Sequence, residues 1–405
     1  MSKQHRFNEE PPPSASEKIE GNDDLLKEIL RRFPAKSLLR SSCVSKRWLS
    51  LISDPHFSLL WSKPKSHTVP GMFLRRLPLP SNTPTIDYVP LNRDQYHHEN
   101  PPINPLDSGI KSVEEDDIDV LQSCNGLLLC SSFRLRHHSC NFYVYNPTTN
   151  KYRALPRPIG FGEKIVRGVS IAFDPSKSHH YKVICVSSHS KLLKGISWVQ
   201  IYSSQTHTWR VYDDILVGPF DVDFETGVFW NGSINWISRA SETSLRFDVD
   251  SESSNILPMP PLTDGLRVQR RFAFFNVCLG DYLHIGLFTS AGAQLEVFTM
   301  ERDFSKWVLK YLVNLEATIM ELHMPVPLPL VYWKFLVLGC FWDETEKESS
   351  CLMIYIPGKI GCYNIEEKCL KNVCDLNISS NEGWIISPTC KWVAGYPYIE
   401  SLCCV

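Results

Sequence analysis

Hydrophobic periodicity changes once along this chain of 405 residues, near residue 60, and the change limits the possible folds sharply. Before it, apolar residues recur at helical spacing. After it, short apolar-aromatic runs alternate with clusters of Gly, Pro, Asn, Asp and Ser, the signature of strands and turns. In residues 23–56, Leu25, Leu26, Ile29 and Leu30 share a helical pattern, with Lys27, Glu28, Arg31 and Arg32 left for water. Asn22 or Asp23 can cap this helix, and Pro34 stops it. Ser37 can cap a second helix bearing Leu38, Leu39, Cys43 and Val44. A third carries Trp48, Leu51 and Ile52, and Asp54-Pro55 breaks it. Three such helices bury too little to stand alone, so the unit is expected to dock on its own β region or on a partner.

The β region repeats. Its unit is a strand, a tight polar turn, and a second strand with an aromatic or basic residue. Phe142–Tyr145 leads through Asn146-Pro147-Thr148-Thr149-Asn150 to Lys151-Tyr152-Arg153, and Val199–Tyr202 leads through 203–207 to Thr208-Trp209-Arg210. Further copies run from Leu245–Asp248 and Leu295–Phe298, and a fifth from Tyr355 or Tyr363. The spacing suits four-stranded propeller blades, which take about 40–50 residues each. Inner strands are expected at Ile171–Phe173, Val183–Val186, Val228–Trp230, Ile234–Ile237, Phe272–Val277, Tyr282–Leu287 and Leu336–Phe341, with Asn231-Gly232 as a hairpin turn. The strand Tyr396–Leu402 is expected to close the ring against Met72–Leu77 or Thr85–Leu91. The fold class is therefore a small all-α, three-helix unit followed by an all-β propeller-like domain of five to seven blades.

Composition excludes several roles. A net charge of −2 without a long basic run argues against nucleic acid or an anionic membrane as the main partner. The polar, Pro-rich residues after Met1 are no signal peptide. Fourteen cysteines are then expected in a reducing compartment as free thiols, with Cys130, Cys185, Cys278 and Cys340 acting as small buried hydrophobes. Residues 1–17 are expected to be disordered, and 92–119, rich in Pro, Asn and acid, to be a mobile loop whose carboxylates are solvated.

Catalytic signatures are missing: there is no Gly-x-Ser-x-Gly elbow and no phosphate loop. The His pairs 97–98, 137–138 and 179–180 are adjacent residues, which point to opposite faces of a strand. Asp221-Val222-Asp223-Phe224-Glu225 opens like a calcium loop, but Thr226 stands where Gly is needed. No cofactor and no metal site are expected. Trp198, Trp209, Trp230, Trp236 and Trp307 recur with the strands and read as blade packing.

Two stretches resemble known families. Glu28-Ile29-Leu30, Pro34-Ala35-Lys36-Ser37-Leu38, Cys43-Val44-Ser45-Lys46-Arg47-Trp48 and Ser53-Asp54-Pro55 match the F-box pattern in order. The departure is Gly21-Asn22, where that family has the Leu-Pro that leads into the first helix and touches the adaptor. Ser123-Cys124-Asn125-Gly126-Leu127-Leu128, Tyr145-Asn146-Pro147-Thr148-Thr149, Phe173-Asp174-Pro175, Gly227-Val228-Phe229-Trp230-Asn231-Gly232 and Tyr398-Ile399-Glu400-Ser401-Leu402 resemble the F-box-associated domain of plant F-box proteins, which is related to kelch propellers. The expected division is a tail at 1–17, an F-box at 18–60 and a propeller-like domain at 61–405.

The resemblance implies a substrate-recognition subunit of an SCF-type ubiquitin ligase, intracellular and itself non-catalytic. It would bind a Skp-type adaptor, and through it a cullin-RING ligase, by way of Leu25, Leu26, Ile29, Leu30, Pro34, Leu38, Leu39, Val44 and Trp48. The propeller would recruit a protein substrate through residues that the sequence does not identify. Two other roles fit the same chain: an interaction module outside any ligase, and a carbohydrate- or small-molecule-binding propeller.

Overall fold

A computed structural model describes residues 22–61, 69–76, 84–91, 117–133, 141–160, 164–189, 195–261, 270–278, 282–289, 294–316, 335–342, 350–356, 358–376 and 393–405. Residues 1–17, and 92–116 of the expected loop, lie outside them.

Helix α1 (Asp23–Leu30) starts at Asn22, whose Oδ1 accepts the amides of Asp24 and Leu25 at 3.0 and 3.2 Å. Helix α2 (Ala35–Ser41) begins directly after Pro34 rather than at Ser37, and Cys43 and Val44 lie beyond its end. Helix α3 (Lys46–Ile52) is capped by the Ser45 hydroxyl, which accepts the Trp48 amide at 3.1 Å. Pro55, expected as a break, opens a fourth helix, α4 (Pro55–Trp61). At a first helical position the missing N–H costs nothing, so the proline that ends one helix starts the next. Phe57 and Trp61 of α4 complete a core with Leu26, Leu30, Ala35, Leu38, Leu51 and Ile52. Among the described residues the unit thus has four helices, not three.

Among the described residues twenty-three strands follow, in six sheets arranged as propeller blades. Blade 1 joins β1 (Gly71–Arg76) and β2 (Thr85–Pro90) to β23 (Val393–Tyr398), with Gly71 opposite Tyr398 and Arg76 opposite Val393. A closing strand is therefore present and pairs with the first of the two candidates, but it spans Val393–Tyr398, so only 396–398 of the expected 396–402 lie in it. Blade 2 holds β3 (Asp117–Cys124), β4 (Leu127–Phe133), β5 (Phe142–Asn146) and β6 (Lys151–Ala154). Blade 3 holds β7 (Ile165–Ala172), β8 (Lys182–Ser188), β9 (Ile196–Ser203) and β10 (Thr208–Val217). Blade 4 holds β11 (Val222–Trp230), β12 (Ser233–Ser238), β13 (Thr243–Asp248) and β14 (Ser253–Pro258). Blade 5 holds β15 (Phe272–Cys278), β16 (Tyr282–Phe288), β17 (Gln294–Met300) and β18 (Trp307–Asn314). Blade 6 holds β19 (Leu336–Trp342), β20 (Ser350–Ile356), β21 (Lys359–Asn364) and β22 (Cys369–Asp375). The fifth hairpin of the repeat is thus the one at Tyr363, while Tyr355 belongs to the strand before it. The innermost strands β23, β3, β7, β11, β15 and β19 each touch the next, which closes the ring.

Each pair of neighbouring blades has its own apolar core, as radial stacking demands when one sheet cannot cover both its faces. The outer hairpins share one turn. The last residue of the third strand is Asn146, Ser203, Asp248 or Asn364, and its side chain accepts backbone amides of the turn. Four residues on, Asn150, His207, Glu252 or Lys368 adopts a left-handed conformation. Blade 5 keeps the left-handed residue, Phe304, but has Met300 in place of the polar one.

The tryptophans divide by role. Trp230, Trp236 and Trp307 are buried. Trp209 Nε1 donates to the Pro156 carbonyl at 2.5 Å and Trp307 Nε1 to that of Pro258 at 2.7 Å, so each fastens its blade to the preceding one.

The end of the expected mobile loop is strand. Asp119 is buried in β3, where its carboxylate takes the Arg75 guanidinium through Nε and, at 2.8 Å, through Nη2, linking blades 1 and 2. A buried carboxylate needs such a partner, and composition alone cannot show one that lies 44 residues away.

Among the described cysteines, one pair departs from the expectation of free thiols. Cys130, Cys185 and Cys340 are buried, and burial pushes the Cys124 and Cys403 thiols up to about 12. The Cys278 side chain lies outside the described residues. Cys351 and Cys362 are joined across β20 and β21 as a disulfide, with Cα atoms 5.9 Å apart. Asp221 is no calcium ligand in waiting. Burial pulls its pKa up, but hydrogen bonds from Ser238, Ser241 and the Ala240 and Ser241 amides bring it down to about 2.

Candidate functional site

Helix α1 carries two apolar stripes. Leu26 and Leu30, one turn apart, face inward and are 3% and 0% exposed. Leu25 and Ile29, also one turn apart, face outward and are 48% and 38% exposed. A surface helix that needed only to cover a core would carry polar residues on the second stripe. Val44, in the connection between α2 and α3, is 67% exposed, and Leu49 of α3 is 49% exposed. Helices α1 and α2 both pack on α3, so these side chains belong to one small body.

Of the nine residues expected to serve adaptor binding, Leu26, Leu30 and Leu38 are interior. Leu25, Ile29, Pro34 and Val44 are exposed. Leu39 and Trp48 are half-buried against the edge of the core, so truncating Trp48 costs less than the ~3–5 kcal/mol of a fully buried aromatic. Exposed Leu49 went unnoticed in the sequence because it follows Trp48 directly and breaks no pattern.

Ion pairs frame the unit. Lys27 Nζ lies 3.2 Å from Asp54 Oδ2, which ties α1 to the α3–α4 junction. Arg47 Nη2 lies 2.5 Å from Asp23 Oδ1, across the start of α1. Position 22, where the F-box pattern has proline, holds the N-cap of α1. The asparagine thus replaces an expected contact residue with a local hydrogen-bonding one.

The segment 399–405, which follows β23, reaches back to the helices. Leu402 packs in their core, and Glu400 Oε2 accepts the Ala35 amide at 3.4 Å. Deleting 394–405 would therefore take a core leucine and a helix-end carboxylate from the helical unit.

On the opposite face of the propeller, where β8 passes to β9 and β10 to β11, other side chains are displayed. Half-buried Trp198 meets His189 edge-on at 4.5 Å, with Lys164 Nζ 5.9 Å from its ring. Phe220 is 62% exposed. Among the described residues no group of three or more His, Cys, Asp or Glu is placed to hold a metal ion, and no helix is long and apolar enough to cross a membrane.

Residues 22–60 match the family model of the F-box domain, and residues 88–400 that of the F-box associated beta propeller domain. F-box protein At5g07610 of Arabidopsis thaliana is 33% identical over 384 residues, which span 89% of this chain and 87% of the relative. Putative F-box/kelch-repeat protein At3g22730 of the same plant is 27% identical over 85% of this chain and 88% of its own length. F-box protein At5g03970, also of Arabidopsis thaliana, is 26% identical over 75% of this chain and 71% of that protein.

Proposed function

The chain belongs to the F-box proteins that carry an F-box associated β-propeller domain, and on that premise we propose that it is a substrate-recognition subunit of an SCF-type ubiquitin ligase. The helical unit binds a Skp-type adaptor, and the propeller recruits a protein target. The observation that carries the reading is the outward stripe of Leu25 and Ile29 with Val44 and Leu49. These are apolar side chains held in water on a unit whose interior is already filled by other leucines. An interface of this kind gains its affinity by removing apolar surface from water. Catalysis lies elsewhere in the complex. This chain contributes proximity, by holding a substrate lysine near a charged ubiquitin carrier at high effective concentration. The protein acts inside the cell.

Co-purification with a purified Skp-type adaptor tests this. The parent chain should hold the adaptor. Ile29→Asp, which puts a charge into the outward stripe without touching the core, should weaken the complex at least tenfold and leave the circular dichroism unchanged. A parent that retains no adaptor at micromolar concentration, or an Ile29→Asp chain that binds as well as the parent, would refute the reading.

A further inference from the structure

Three sequence motifs remote from one another converge under blade 2, on the side where the helices sit. The first is Ser123-Cys124-Asn125-Gly126. Ser123 Oγ donates to the Pro397 carbonyl at 2.6 Å, and a Cβ on Gly126 would stand 2.5 Å from Ser401 Cβ and 2.7 Å from the Ile399 carbonyl oxygen. Gly126, at φ +92°, is thus required twice, by its backbone and by the segment lying on it. The second is Asn146-Pro147-Thr148-Thr149. Asn146 is fully buried, and its Nδ2 donates to the carbonyls of Ser401 and Cys403 at 3.0 and 2.8 Å. Thr148 Oγ1 accepts the Ser401 amide at 3.0 Å. The third is the segment Glu400-Ser401-Leu402-Cys403 itself.

Along that segment successive residues serve different partners. Ser401 and Cys403, both 2% exposed, are fastened to the propeller; Cys403 Sγ also lies 3.3 Å from the His179 carbonyl of blade 3. Glu400 and Leu402 serve the helices. Leu402 fills their core, and the Glu400 carboxylate lies at the start of α2. Pro34 gives that helix no side-chain cap, so a carboxylate from outside supplies the acceptor and the favourable charge at its positive end.

We propose that residues 399–403 form a rigid joint that sets the helical unit at one orientation to the propeller, with Glu400 and Leu402 as positioning residues. The joint stands on the contacts above. Its consequence for ligase function rests on the adaptor reading: the distance between the adaptor and a target on the propeller is then built into the chain rather than averaged over a flexible link. A rigid mount keeps the effective concentration of the target lysine high only where the geometry suits it.

Hydrogen exchange by mass spectrometry on the full chain tests the joint. Leu402→Ala should raise amide exchange across 23–61 at least tenfold while β7 to β18 keep their protection. Leu402→Met should restore it. Glu400→Gln keeps the core and removes the charge; it should raise exchange a few-fold, confined to the first turn of α2. Non-natural amino-acid labels at exposed Lys46 and Lys151 provide a second readout: the distance distribution should be narrow in the parent and broad in Leu402→Ala. Unchanged exchange in 23–61, or an equally narrow distribution in the variant, would overturn the joint. Neither measurement involves the adaptor. A parent that fails to bind adaptor but shows the expected exchange therefore refutes the adaptor reading and leaves the joint standing.

Discussion

Lowering the pH from 7 to 5 should destabilise the propeller through one side chain, His284 of β16. The imidazole is 2% exposed. Its Nδ1 lies 3.1 Å from the Tyr282 carbonyl, which assigns the proton to that nitrogen, and Nε2 is buried without a hydrogen-bond partner. Asn276 and Thr299 stand opposite it on β15 and β17, and their Oδ1 and Oγ1 atoms are likewise buried and unpartnered. No carboxylate is among the causes of the shift. Burial, followed by the nearby Lys310 ammonium, lowers the pKa from 6.5 to about 4. The folded state therefore holds the neutral ring, while the unfolded chain takes up a proton below pH 6.5. Stability from this group is complete above 6.5 and is lost as pH falls from 6.5 to about 4. At 1.36 kcal/mol per pH unit, the loss is about 2 kcal/mol at pH 5 and approaches ~3 kcal/mol near pH 4. His284→Asn keeps a nitrogen donor for the Tyr282 carbonyl and cannot ionise. Denaturant titrations of both proteins at pH 7 and pH 5 should show the parent losing about 2 kcal/mol more than the variant. The Asp221 carboxyl titrates near 2 and lies outside the window, and other groups cancel in the difference. Equal pH dependence in the two proteins would refute the argument.

Two further outcomes follow from particular contacts. Asp119→Asn leaves the buried Arg75 guanidinium without its carboxylate and should cost about 3–5 kcal/mol, read as a fall in the thermal midpoint; the Arg75→Met, Asp119→Leu pair should recover most of it, and a single variant as stable as the parent would contradict the buried pair. Asn22→Ala removes the acceptor for two α1 amides and should destabilise the helical unit by ~1 kcal/mol; restoring the family dipeptide with Asn22→Pro loses the same cap, so any gain in adaptor affinity should appear together with faster amide exchange in α1.

What could be read in the chain was local. The outer hairpins announce themselves through Asn146, Ser203, Asp248 and Asn364, because a short polar side chain that accepts turn amides works within four residues. The Asn22 cap and the inward and outward leucines of α1 are local in the same sense. Pro55 misled because one chemical fact, a missing N–H, ends a helix and begins another equally well. Asp119 misled because the acid run Glu114–Asp117 precedes it while its partner sits on another blade. The contact between Glu400 and Ala35 spans 365 positions, and no periodicity encodes it. Leu25 and Ile29 were legible as helical, but only the packing of Leu26 and Leu30 shows which stripe is left in water.

Blade 1 also sets a timetable. Of the described strands its inner strand β23 is synthesised last, yet it pairs with β1, the first of them. Until 393–398 are available, β1 presents an unpaired edge and β3 lacks one of its two neighbours in the ring. The helical unit waits as well, since Leu402 of its core follows β23. The nascent chain therefore carries an open sheet edge and an incomplete helical core through most of its synthesis, surfaces that invite mispairing and chaperone capture. Completion of the ring and of the helical core should arrive together as one late step, in which a single short segment turns a string of separately formed hairpins into a closed body.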